Sequence, residues 1–119
     1  MNKPFLKWAG NKFRVLPHLI PHIGDPKRYI EPFGGSLSVA LNISADEYIL
    51  NDINKDLYCL YTNVDKEFVG ECRELFTDDN NTRERYLELR KEFNSEQDCR
   101  KRAKLFLYLN KHAFNGLSR

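Results

Sequence analysis

An α/β fold is predicted by three observations, all within residues 29–53 of the 119-residue chain. A short β-prone run, Tyr29-Ile30, leads through Glu31-Pro32-Phe33 into the glycine pair Gly34-Gly35. Leu37, Val39, Ala40, Leu41 and Ile43 then carry the apolar spacing of a short helix packed on a sheet, with Ser36 placed to cap it. Tyr48-Ile49-Leu50 reads as a second buried strand ending at Asn51-Asp52. The order strand, glycine turn, helix, strand, acid is that of a parallel βαβ unit. Its right-handed closure puts both strand ends on one rim of the sheet.

That geometry carries a chemistry. Glycines after the first strand let backbone approach a ligand, because no Cβ intervenes and positive φ is open. Asp52 stands 21 positions after Glu31, close to the roughly 20-residue interval at which an acid meets a ribose hydroxyl in nucleotide-binding units. The full G-x-G-x-x-G pattern is absent, and Glu31 would repel a pyrophosphate, so a nucleoside fits better than a dinucleotide. Acid at both strand ends suits a ligand with a positive amine or sulfonium and a free ribose. An ordinary turn between two strands of any α/β domain would share these features.

Composition sets wider bounds. With 41% hydrophobic and 30% charged residues the chain is globular, and its length fits one domain at most. A net charge of +2 neither demands nor excludes nucleic acid. Cys59, Cys72 and Cys99 are odd in number and lack a C-x-x-C spacing, so reduced cysteines and a cytoplasmic location are expected. No apolar run reaches a membrane span and no signal-peptide core opens the chain.

Taken in order, Pro4 to Lys12 holds Trp8, Gly10 and two lysines, a loop able to stack on a flat ligand and hold a carboxylate or phosphate. Trp8 would equally serve as a plug at a core edge. A helix is expected from Arg14 to Ile20, with Pro17 in its first turn; Pro21, which would interrupt it, and Gly24-Asp25-Pro26 are expected to end the element and lead to the first strand. The His18–His22 pair is four apart, but a metal role would need a continuous helix and a third ligand, so no metal is expected. After Asp52 the chain turns helical. Asn54, Asp65 and Thr82 are placed to cap helices carrying Leu57-Leu60-Val64, Phe68-Cys72-Phe76 and Tyr86-Leu89-Phe93. Ser95 with Asp98 resembles a capping box ahead of a last helix with a basic start, Arg100-Lys101-Arg102-Lys104, and an apolar body, Leu105 to Leu109. A basic start opposes the helix dipole, which calls for acidic neighbours or a phosphate unless the run is a solvated face. The final residues mix aromatic, amide, glycine and base, types that can read base edges or wedge between them.

Together these segments are much more specific than any one of them. Phe5-Leu6-Lys7-Trp8-Ala9-Gly10-Asn11-Lys12, Glu31-Pro32-Phe33-Gly34-Gly35-Ser36, Ile49-Leu50-Asn51-Asp52-Ile53-Asn54, Leu107-Tyr108-Leu109-Asn110 and Phe114-Asn115-Gly116-Leu117-Ser118-Arg119 closely resemble the Dam family. These are S-adenosylmethionine-dependent DNA adenine-N6 methyltransferases acting on GATC. The resemblance implies the N-terminal part of a Rossmann-like methyltransferase fold, a parallel sheet with flanking helices, followed by the start of a helical target-recognition region. It divides the chain into 1–64, part of a cofactor-binding domain, and 65–119. It implies cofactor contacts at Trp8, Lys12, Glu31, Pro32, Phe33, Gly34, Gly35, Ser36, Asp52 and Ile53. DNA contacts are implied at Lys7, Phe114, Asn115, Leu117 and Arg119.

The resemblance has departures. Asn11 replaces a commoner Gly, Gly34 and Leu37 shift the glycines of the turn, and Phe114 lacks the hydroxyl of a commoner Tyr; these are expected to tune binding. The Asp-Pro-Pro-Tyr motif that holds the target amine in such enzymes has no counterpart, since no Pro-Pro pair occurs. The chain is therefore expected to be truncated before that motif, to contain no catalytic residue and to be inactive alone. Two strands do not make a stable sheet, so the Ile49-Leu50 edge calls for a cover, either a protein partner or self-association. A stand-alone binding or regulatory module, competing for DNA or pairing with a partner, is the alternative from another class.

Overall fold

The structure is a computed structural model that describes residues 1–113. The chain clusters into two compact units, Met1–Ile53 and a second beginning at Asn54.

In the first unit, a 3-10 turn at Phe13–Val15 runs into α1 (Leu16–Ile23). Pro17 sits in the first turn of α1, as its preset φ favours. Pro21 does not interrupt the helix as expected; α1 continues through it to Ile23, where Gly24, one of the residues expected to end the element, caps it by donating to the Ile20 carbonyl. A proline stops a helix only where its missing N–H and its ring cannot be accommodated, and two further residues fit here. His18 and His22 thus share a continuous helix, yet no group of three metal-ligating side chains occurs among the described residues.

β1 (Arg28–Glu31) and β2 (Glu47–Leu50) pair in parallel, with Tyr29 opposite Tyr48 and Glu31 opposite Leu50. The βαβ reading holds for the strands and fails for the crossover. In place of a helix over Leu37 to Ile43, residues 32–43 form turns and one 3-10 turn, Ala40–Asn42. The cause is Leu37, whose φ of +61° takes the chain out of right-handed helix. Ser36 caps nothing; its hydroxyl bonds that of Ser38, 3.1 Å away, and both serines are buried. The crossover is held instead by Asn42, whose side-chain amide donates to Asn2 O at 2.7 Å and Ser38 O at 2.9 Å. The expectation that Tyr48-Ile49-Leu50 form a buried strand is corrected: all of β2 is exposed, as is Ile30, because a sheet of two strands leaves their apolar side chains uncovered.

The second unit is helical: α2 (Lys55–Asn63), α3 (Lys66–Arg73), α4 (Arg83–Ser95) and α5 (Cys99–His112). Asn54, Asp65 and Thr82 cap α2, α3 and α4 through side-chain oxygens that accept first-turn N–H groups. The capping box reading is corrected: Ser95 is the last residue of α4, and Asp98 itself caps α5 by accepting the Lys101 N–H at 2.9 Å. α5 packs against α2, α3 and α4, burying Ala103, Leu105, Phe106, Tyr108 and Leu109. The basic start of α5 has the acidic neighbours its dipole demands. Arg100 pairs with Glu71 at 2.9 Å and Arg102 with Asp56 at 3.0 Å. Arg102 also donates to the Phe93 and Glu96 carbonyls and lies over the Phe93 ring. These two arginines are therefore committed to the protein, and the Arg100–Lys104 run is not a loose cationic patch.

The expectation of three reduced cysteines is also corrected. Cys59 of α2 and Cys99 of α5 form a disulfide across 40 positions of sequence, with Cα atoms 5.3 Å apart, while Cys72 is free and buried. Packing of α2 on α5 brings the pair together, and spacing along the chain carries no trace of it. A cross-link closing a ring of this size contributes about 3–4 kcal/mol. Urea denaturation with and without reductant should show a loss of that order, reproduced by Cys99→Ser; coincident midpoints would contradict the cross-link.

Candidate cofactor site

At the rim where both strands end, the turn after β1 is fastened to the residues after β2. The Gly34 N–H donates to Asn51 O at 2.8 Å, and the Gly35 N–H donates to Asp52 Oδ2 at 2.9 Å. Asn51 returns its own N–H to Glu31 O at 2.9 Å and its side-chain amide to Pro32 O at 3.1 Å. Four bonds thus join two stretches separated by the whole crossover.

The glycines are required by this closure. Gly35 has a φ of +53°, and a Cβ there would meet the Trp8 indole at 3.1 Å. At Gly34 a Cβ would meet Leu37 Cδ2 at 2.7 Å. Leu37 therefore occupies the space that Gly34 leaves empty, while holding a left-handed backbone that costs of order 1–3 kcal/mol in a non-glycine residue. Removing the side chain at 34 makes room for the one at 37.

Over the turn folds the N-terminal loop. Asn11 organises it: its side-chain amide donates to Trp8 O at 3.0 Å and its Oδ1 accepts the Phe13 N–H at 3.0 Å. Asn11 so ties Trp8 to the start of the 3-10 turn. Lys12 Nζ reaches Gly10 O at 3.4 Å. Loop, turn and strand ends enclose a cavity of about 240 Å³. Of the residues singled out in the sequence, Trp8, Lys12, Glu31, Phe33, Gly34, Gly35, Ser36 and Asp52 line it. Pro32 and Ile53 lie beside it without lining it, and Ile53 is 91% exposed. Ser38 is a lining residue that sequence reasoning missed; its position two after Ser36 in a non-helical turn is the signal, invisible while the segment reads as helix. Lys7 is exposed outside the cavity, and Phe114, Asn115, Leu117 and Arg119 lie outside the described residues.

The electrostatics centre on Glu31. Burial pushes its carboxyl above the ordinary carboxylate range, against the opposing pull of a hydrogen bond from the Tyr29 hydroxyl, another from the Ala40 N–H, and the Lys12 charge. Its Oε2 is buried without a hydrogen-bond partner. A buried acceptor left unpaired is costly, and a donor entering the cavity would satisfy it. The volume is below the roughly 300–1,000 Å³ of sites that enclose a drug-sized ligand, so the cavity has room for only part of a ligand of that size.

A cavity floored by a glycine turn, with an acid at the end of each of two parallel strands, is the candidate site of a mixed α/β chain. The chain belongs to the D12 class N6 adenine-specific DNA methyltransferase family, whose description matches residues 8–119. Among curated relatives, the DNA adenine methylase of Escherichia coli strain K12 is 46% identical over 99% of this chain. That of Salmonella typhi is 47% identical over 99%, and that of Vibrio cholerae 39% identical over 98%. The chain spans 43–44% of the length of these relatives.

Glu31 yields a pH prediction. Its folded form holds the proton more tightly than the unfolded chain does, so stability is present below the unfolded value of about 4.3. It is lost as pH rises through the folded value. Glu31→Gln cannot ionise. Thermal melts should therefore place this variant above the parent at pH 7, with the gap closing toward pH 4; a lower melting point at pH 7 would contradict the burial of an unpaired carboxylate.

Proposed function

We infer that this chain contributes the N-terminal half of the S-adenosylmethionine site, and the lead into the DNA contacts, of an adenine-N6 methyltransferase acting on GATC-like duplex DNA. The observation that carries the reading is the buried, unpaired Glu31 oxygen beside a glycine turn whose second amide is fixed to Asp52. The donor set fits the cofactor. Glu31 accepts from its amine, Asp52 accepts from its ribose hydroxyls, and Trp8 and Phe33 offer flat apolar surface. Lys12 is the cation for its carboxylate, Gly34, Gly35 and Ser36 form the floor, and Pro32 and Ile53 flank it. When bound, the cofactor supplies an electrophilic methyl group for the adenine amine.

Residues of this chain bind and orient; none of them serves as the group that holds the target amine. Lys7, with Phe114, Asn115, Leu117 and Arg119, forms the DNA-facing set on this reading. Phe114 is the wedge between base steps and Arg119 a donor to base or phosphate. The parallel pair β1–β2 is the start of a larger Rossmann-like sheet, and its exposed edge is covered by further strands, by a protein partner or by self-association. The domain division at 64/65 follows the same reading, as does a cytoplasmic location. In a reducing compartment Cys59 and Cys99 would exist as adjacent thiols.

Calorimetric titration of the full chain with S-adenosylmethionine tests this reading, with Asp52→Ala as the control. Binding is expected for the parent and a loss of at least tenfold in the variant, since a lost hydrogen bond to a charged group is worth about 1.5–3 kcal/mol. A folded parent chain that releases no heat and shows no binding by a second method would contradict it.

A further inference from the structure

Trp8 is the only tryptophan of the chain. It lines the cavity, and its pyrrole edge rests on the glycine turn, since a Cβ at Gly35 would stand 3.1 Å from its Cδ1 and 3.2 Å from its Nε1. The loop that follows it has little packing to hold it. Ala9, Gly10 and Asn11 are exposed, and Gly10 takes a φ of +73° with nothing within 4 Å of the place a Cβ would occupy. Such a segment samples many backbone conformations unless polar bonds fix it. Asn11 supplies two at once. Its amide nitrogen donates backward to Trp8 O at 3.0 Å, and its Oδ1 accepts forward from the Phe13 N–H at 3.0 Å. One planar amide therefore clasps residue 8 to residue 13, where the 3-10 turn begins and runs on into α1. The far end of the clasp is itself structured, because the Val15 N–H donates to Lys12 O at 3.1 Å.

We propose that Asn11 is the positioning residue for Trp8, its side-chain amide tying the Trp8 backbone to the 3-10 turn so that the indole stays seated on Gly35 as a wall of the cavity. The proposal deepens the cofactor reading and rests on it for the identity of the ligand. A tryptophan side chain turns about only two bonds, so a fixed backbone leaves its ring few places to go, and the contact with Gly35 selects one of them. A wall ordered before the ligand arrives spares binding the entropy of ordering it. Both ends of the amide are needed for this. A hydroxyl at the same position can accept from the residue two ahead, but a single oxygen cannot take the place of both the acceptor facing Phe13 and the donor facing Trp8. Asn11 also lines the cavity, so the test separates an action through Trp8 from a direct touch on the ligand.

Fluorescence of the full chain reports the position of Trp8 without a label, because no other tryptophan emits. In Asn11→Ala, quenching of Trp8 by acrylamide should rise toward that of the unfolded chain. Calorimetry should show an affinity for S-adenosylmethionine about fivefold lower, the scale of one ordinary hydrogen bond. Tyr48→Phe is the stability control. It removes the hydroxyl that donates to Ile43 O at 2.8 Å and accepts the Ala45 N–H at 3.0 Å, and should lower the melting point while leaving the quenching of Trp8 in place. Equal rises in both variants overturn the proposal, since loss of stability alone would then expose Trp8. Unchanged quenching in folded Asn11→Ala overturns it too, and with lowered affinity would make Asn11 a direct contact. Raised quenching with unchanged affinity also overturns it. If the parent chain does not bind S-adenosylmethionine, the cofactor reading fails, while quenching still decides whether Asn11 holds Trp8. Should Asn11→Ala fail to fold, Asn11→Ser keeps the forward bond and loses the backward one: raised quenching there supports the proposal, and quenching equal to the parent's overturns it.

Discussion

Two amide hydrogens, those of Gly34 and Gly35, hold the rim of the first unit in shape. One donates to the Asn51 carbonyl and the other to the Asp52 carboxylate, joining the end of β1 to the end of β2. A side chain at Gly35 would strain this closure, since its φ is +53° and a Cβ would stand 3.1 Å from the Trp8 indole. From this closure the rest follows. It sets Asp52 at the rim, it fixes the floor under Trp8, and it turns the chain so that Glu31 keeps one oxygen buried inside the cavity. A two-stranded sheet has little packing of its own to enforce such an arrangement, so these polar bonds carry an unusual share of it.

The helical unit is held in a different way. Its centre is α5, apolar along its body and cationic at its start, where a helix dipole disfavours cations. Asp98 at the cap, Glu71 and Asp65 around Arg100, and Asp56 beside Arg102 offset that penalty. Arg102 is only 25% exposed and donates to two carbonyls past the core of α4, so it acts as a strut. The disulfide adds a covalent tie between α2 and the start of α5. Burial pushes the remaining thiol, Cys72, up from its ordinary range, which keeps it protonated and unreactive.

Features written in short stretches of sequence were legible, and those written in contacts across it were not. Asn54, Asp65 and Thr82 announce helix starts because a cap is a bond between residues two or three apart. Gly34-Gly35 and Asp52 announce the rim because strand, turn and acid recur at a fixed interval. The crossover misled: Leu37, Val39, Ala40, Leu41 and Ile43 have helical spacing, but Leu37 takes a left-handed φ of +61°, in a turn whose Gly34 N–H is fastened to Asn51 O, outside the segment. Pro21 misled in the opposite sense, since only two helical residues remain after it. The Cys59–Cys99 bond depends on the packing of α2 against α5, which no local stretch of sequence announces. For the cavity, most of the lining was readable from motif residues, while Ser38 was masked by the helical reading of its neighbours.

Amide hydrogen exchange at Gly34 and Gly35, read by nitrogen-15 NMR on the parent chain, tests the closure most directly. If the two glycines are fastened as described, both amides exchange as slowly as those of the β1–β2 ladder, although both lie in a turn. Exchange at the rate of an unstructured glycine, in a chain whose ladder amides remain protected, would mean that the turn is not tied to Asn51 and Asp52, and the cavity would lose its floor.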